Sequence, residues 1–107
     1  RALWRLTKTR TVDLVETAAK PGEMPLTLAQ RAGIRLAAAN TVRLARETIN
    51  TVAEAAGAGA YADSSPLQRL QRDVETMKGH VVFDWDRTTE LVGRVELGLD
   101  LRPGDLI

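Results

Sequence analysis

The stretch from Thr27 to Ala56 constrains the fold more than any other part of this 107-residue sequence. Within it Ala38, Val42, Ala45, Ile49, Val52 and Ala56 recur at alternating steps of four and three, the seam of a helix lying along another helix. A second apolar set, Ile34, Ala37, Thr41 and Leu44, occupies a neighbouring face, and two apolar faces imply two neighbours. At about 1.5 Å per residue, some 30 residues make a rod of roughly 45 Å. A rod of that length in so short a chain is expected to touch more than the chain itself offers.

Other segments fit around that rod. Ala2 to Ala19 carries Leu3, Trp4, Leu6, Val12, Leu14 and Val15, although its middle, "TKTRTV", alternates like a strand and holds three threonines. It reads as a helix all the same. "KPGEMP" (Lys20 to Pro25) is a break, because Pro-Gly and a second proline punctuate the chain. "GAGAYADSS" (Gly57 to Ser65) stops the long helix in a glycine turn.

Ser65 is then placed as an N-cap, Pro66 as the first helical residue and Gln68 as a capping-box partner. The third helix should run from Pro66 to about Lys78, with Leu67, Leu70, Val74 and Met77 inward and Gly79 as its stop. Asp86 is expected to cap a last short helix carrying Leu91, Val92 and Val95, with Gly98 at its end. "LDLRPGDLI" is an irregular tail. The expected fold is all-α, an up-and-down bundle of four helices in one domain, residues 1–107.

Composition agrees and narrows the function. Hydrophobic residues make up 44% of the chain, leaning on alanine, with only four aromatics. Alanine lets helices approach closely, whereas sheets favour β-branched and aromatic runs. A net charge of +1 gives no field to gather nucleic acid or anionic lipid, so neither is an expected partner. No cysteine is present, which removes disulfides, thiolate metal sites and cysteine catalysis. No apolar run reaches membrane-spanning length and no signal peptide is apparent, so a cytoplasmic protein is expected. The sequence opens at Arg1 without a methionine, as a piece of a longer polypeptide would.

Few residues stand out as chemistry. His80, the sole histidine, reads either as a cap at a helix C-terminus or as a catalytic group, and no metal-ligand spacing surrounds it. Glu16, Glu47, Glu54 and Glu75 form no acid/base pair, and Arg43 with Glu47 or Arg69 with Asp73 read as ion pairs along one helix. Gly57 and Gly59 match neither a dinucleotide fingerprint nor a P-loop, since no strand precedes them.

"AAGAGAYADSSPLQRLQRD", followed seven residues on by His80, resembles the C-terminal domain of the acyl-CoA dehydrogenase superfamily over essentially the whole chain. The "SPLQR..RD" element is the specific part. Dehydrogenases of that superfamily usually follow it with an Ile-Tyr-Glu-Gly-like motif; here the region reads "GHVVFDWDRTTELVG", without that glutamate. A histidine at the end of the "RD" helix and a tail ending "PGDLI" are closer to the oxygenase components of two-component flavin-dependent monooxygenases.

That resemblance implies a hydroxylase of aromatic or related small molecules, using O₂ and reduced flavin, FMN or FAD, from a separate flavin reductase. His80 would lie near flavin and substrate as the catalytic residue, bonding the flavin N5 region or taking a proton from a phenol. The main-chain N–H groups of Gly57 and Gly59 and the side chains of Arg69 and Arg72 would contact flavin phosphate across a homotetramer interface. The N-terminal helical and central β-domains that hold most of such a flavin site are absent from this sequence, so alone it should be inactive. The other readings are an acyl-CoA dehydrogenase domain and a stand-alone helical oligomerisation module.

Overall fold

The computed structural model describes residues 1–18, 22 and 26–107. These residues form four α-helices and no strand: α1 (Ala2–Ala18), α2 (Leu28–Ala56), α3 (Pro66–Lys78) and α4 (Trp85–Glu96), with a short 3₁₀ turn at Gly57–Tyr61. The expected break at Lys20–Pro25 lies outside the described residues apart from Gly22.

α1 is helical through the threonines that gave it a strand-like pattern. Thr7 and Thr11 donate their hydroxyls to the carbonyls of Leu3 and Thr7, at 2.9 and 2.7 Å. Each hydroxyl is thereby satisfied inside the helix, so Thr7 can be buried there. α2 begins with a capping box the sequence reading passed over. Gln30 N–H donates to Thr27 Oγ1 and Thr27 N–H donates to Gln30 Oε1.

At α3, Ser65 Oγ accepts from Leu67 N–H and Pro66 opens the helix, as expected. The reciprocal Gln68 contact is not made, because the Ser65 N–H is donated to Ala62 O at 2.8 Å in the preceding turn. α4 is capped by Asp84, not Asp86: Asp84 Oδ1 accepts from Arg87 N–H at 3.0 Å, and Asp86 falls in the first turn. Gly98 ends α4 with φ +68°, and the N–H groups of Gly98 and Leu99 return to Val95 O and Arg94 O, the paired bonds of a Schellman stop.

α2 is the spine. α1, α3 and α4 each pack on it, and among the described residues none of those three packs on another. The buried line on α2 is Ala32, Arg35, Ala39, Val42 and Ala53. Of the seam expected from the sequence, Val42 is buried and Ala38 and Ile49 half-buried, while Ala45, Val52 and Ala56 face solvent. Of the second expected face, Ile34 and Ala37 meet α1, lining with Ala29 and Gly33 one wall of a groove whose other wall includes Leu3, Thr7 and Leu14, while Leu44 is exposed.

The molecule is long and thin, 52 × 29 × 19 Å, with a radius of gyration of 17.1 Å. A compact chain of this length would have about 13 Å. Its accessible surface, 7681 Å², compares with about 5,900 Å² for a compact monomer of 11.7 kDa. Trp4, Leu6, Val12, Leu44, Val52, Tyr61, Leu70 and Met77 all remain exposed.

Candidate functional site

α3 runs back along α2, and two ties fix their register, with a third contact inside α3 beside them. Gln71 Nε2 donates to Asn50 Oδ1 at 2.9 Å, Arg46 pairs with Glu75, and Lys78 lies 3.8 Å from the other oxygen of Glu75. The Arg46 hydrogen bond is the largest cause holding the Glu75 carboxyl below its usual value; partial burial opposes it, and the charges of Arg46 and Lys78 add to it.

His80 follows the end of α3. Its main chain closes the helix and starts the next turn: its N–H donates to Met77 O, and its carbonyl accepts from Phe83 and Asp84 N–H. The imidazole is not spent on the α3 carbonyls, as a capping histidine's would be. Its Nδ1 accepts from Val82 N–H at 3.2 Å, and Phe83 lies beside the ring with centroids 5.8 Å apart. A backbone N–H only donates, so Nδ1 is the bare nitrogen and Nε2 carries the proton. The side chain is exposed and Nε2 has no partner among the described residues. Chemically the ring offers one N–H donor, at Nε2.

Beneath that turn Arg35 Nη2 donates to Val81 O at 3.2 Å, and Arg31 Nη1 donates to Ile107 O at 3.3 Å. Arg31 and Arg35 share a face of α2 and border a groove of about 540 Å³ with Ile34, Ala38, Val82 and Leu106. Neither forms an ion pair among the described residues, and the Nε of each is buried without a hydrogen bond. Two turns beyond Arg35 along α2, Arg43 lies 4.7 Å over the Trp85 ring and bonds Asn40 and Glu47. This cation–π contact seats the start of α4.

The other named residues lie in the glycine turn and along the first half of α3. Gly57 adopts φ +62°, ψ −146°, a conformation open to glycine alone, and its N–H is already donated to Glu54 O. Gly59 has an ordinary φ, and a Cβ built there meets nothing. Arg69, 86% exposed, sits 3.9 Å from Asp73, and Arg72 is exposed with no side-chain partner among the described residues. The 13 residues of α3 separate the glycine turn from His80 by about 20 Å. Gly57 and Gly59 thus precede α3, Arg69 lies in its second turn, Arg72 lies at its middle and His80 lies past its end.

Arg35 was not singled out in the sequence. Its signal is its register: it falls in step with Ala32, Ala39 and Val42, so a charged residue occupies a core position. Among the described residues no cluster of histidine, cysteine and carboxylate side chains is placed to hold a metal. No described helix is long and apolar enough to cross a membrane.

Residues 1–85 match the family described as acyl-CoA dehydrogenase, C-terminal domain. A pigment production hydroxylase of Rhodococcus sp. (strain ATCC 21145) is 36% identical over 69 residues, 64% of this chain and 18% of that protein. The oxygenase component of p-hydroxyphenylacetate 3-hydroxylase from Acinetobacter baumannii is 34% identical over 65 residues, 61% of this chain and 15% of that protein. The chain thus spans less than a fifth of either relative. No solved structure matches it. The match takes in α1, α2, the glycine turn, α3 and His80 together, and this chain belongs to the acyl-CoA dehydrogenase C-terminal domain family.

Proposed function

We propose that this chain is the C-terminal helical domain of a flavin-dependent monooxygenase, the oxygenase component of a two-component system that hydroxylates an aromatic or related small molecule. The observation that carries the reading is the exposed His80 ring at the end of α3, its Nδ1 accepting from Val82 N–H so that Nε2 is left to donate. The names of the two relatives, both hydroxylases, support the same class.

A reduced flavin, FMN or FAD delivered by a separate reductase, supplies the activation of O₂ when bound. The donor set fits such a group along α3. An exposed imidazole N–H suits the polar edge of a ring system or a phenol oxygen, and the guanidinium of Arg72 is free among the described residues to meet phosphate. Arg69 adds to it on leaving Asp73. The glycine turn serves by its lack of side chains more than by Gly57 N–H, which α2 already uses. His80 orients the phenol by donating its Nε2–H to the phenol oxygen.

The surface beyond that of a compact monomer, with the exposed apolar residues of α1, α2 and α3, supports burial against further copies and against the enzyme's other domains.

The test compares the full-length wild type with His80→Ala, each given reductase-generated FMN or FAD, O₂ and a phenol. Wild type should yield hydroxylated product, and His80→Ala should oxidise most of the same reduced flavin with O₂ released as hydrogen peroxide. Oxidation of an acyl-CoA by the wild type, with no oxygen-dependent product from any phenol, makes the chain part of a dehydrogenase instead.

A further inference from the structure

We infer that Arg35 is a positioning residue for His80, acting through the single amide that joins Val81 to Val82. The inference rests on the proposed role of His80. The carbonyl that Arg35 grips and the N–H that His80 Nδ1 accepts from are the two ends of that amide. No peptide bond among the described residues is cis, so the two groups point in opposite directions from one rigid plane. Arg35 holds it from the α2 side, and His80 is held on the other.

Two consequences follow from this geometry. Rotation of the amide would withdraw the N–H from Nδ1, so anchoring the carbonyl to α2 fixes where the imidazole stands. A cation donating to the carbonyl also polarises the amide and strengthens its N–H as a donor. Both effects keep Nδ1 bare and the proton on Nε2, the atom that faces outward.

Stability alone gives little reason for an arginine here. The side chain is only 9% exposed, lies in register with Ala32, Ala39 and Val42, and has no carboxylate partner among the described residues. A buried charge without an opposite charge is unfavourable, and its Nε makes no hydrogen bond. An apolar side chain of similar length would fill the same space. What it would lack is the grip on Val81 O, 46 residues away in sequence.

The experiment is histidine-selective ¹³C/¹⁵N NMR on the full-length protein, with His80→Gln used to assign the signal. Arg35→Met and Arg35→Lys are compared with wild type, and product per reduced flavin consumed is measured on the same samples. In wild type the Nε2–H tautomer should dominate. In Arg35→Met its ratio to the Nδ1–H form should fall about fivefold, the effect of losing one ordinary hydrogen bond. Arg35→Lys, which keeps the charge without the fork, should fall in between. Product per flavin should decline in the same order.

An unchanged tautomer ratio in both variants, with helicity retained, overturns the inference even if activity falls. Should Arg35→Met fail to fold, Arg35→Lys decides alone, and an unchanged ratio there is equally fatal. A shifted ratio with product yield unaltered in Arg35→Met and His80→Gln alike bears out the positioning and sinks the proposed function of His80.

Discussion

Leu91→Ala tests the packing of α4 on α2. Buried apolar residues number six among those described: Ala32, Ala39, Ala53, Val42, Val74 and Leu91. Leu91, 2% exposed, is the largest of them. Truncation removes three carbons, about 2.4 kcal/mol at ~0.8 kcal/mol per buried methylene. Incomplete collapse of the cavity raises this to about 3 kcal/mol. With so small a core the chain should sit near the low end of the usual range, about 5 kcal/mol, so more than half would be lost. Urea unfolding of the 107-residue chain, followed by circular dichroism at one fixed protein concentration, should show the midpoint falling by about 2 M. Leu97→Ala is the matched control: the same residue type just past the same helix, 76% exposed, and expected to stay within about 0.5 kcal/mol. A loss below about 1 kcal/mol for Leu91→Ala, or equal losses for both variants, would refute the description of α4 as the layer closing the α2 seam.

Three further substitutions probe the caps, the ion pairs and the bare face of α2. Asp84→Ala should destabilise by about 1 kcal/mol in the same urea assay and Asp86→Ala by under half that, since only Asp84 bonds the first turn of α4. Because the Glu75 carboxyl is depressed in the folded state, its pairing with Arg46 stabilises fully above the ordinary carboxylate range and is lost as pH falls through the depressed value. Glu75→Gln should therefore be less stable than wild type near pH 7, by a few tenths of a kcal/mol for so exposed a pair, and the difference should vanish as pH falls through the depressed Glu75 value. Val52→Lys puts a charge on the exposed apolar side of α2, where the side chain is 45% exposed in the single chain, and should lower the sedimenting mass of the full-length protein at micromolar concentration. An unaltered mass would remove that face from the interface.

Helix limits were legible where caps and breakers are unambiguous. Ser65-Pro66 and Gly79 bracket α3 as expected, and Gly98 ends α4. Two aspartates two residues apart offered α4 two possible caps, and only geometry separates them: Asp84 reaches Arg87 N–H. The phase of α2 was harder to read for a different reason. Alanine is tolerated on any face of a helix, so the run from Ala37 to Ala39 leaves the orientation open. The decisive residue, Arg35, reads as a surface group by its charge yet lies in the buried line. His80 was visible as the sole histidine and as part of a family pattern. Its tautomer was not, because that depends on an amide gripped from 46 positions away.

The division of labour along α2 follows from the same geometry. Contacts to α3 and α4 climb the helix in order, from Asn50–Gln71 through Arg46–Glu75 and Arg43–Trp85 to Arg35–Val81. The half of α2 nearest the glycine turn therefore carries exposed Ala45, Val52 and Ala56, while the half beneath His80 carries buried Ala32, Arg35 and Ala39. A partner covering the first half would also cover the turn at Gly57 and bring Arg69 and Arg72 near its edge, without touching the turn that holds His80. Assembly and imidazole positioning are then separable, each carried by its own end of one rigid helix. A charge at Val52 should disturb the first and leave the His80 tautomer alone; loss of Arg35 should do the reverse.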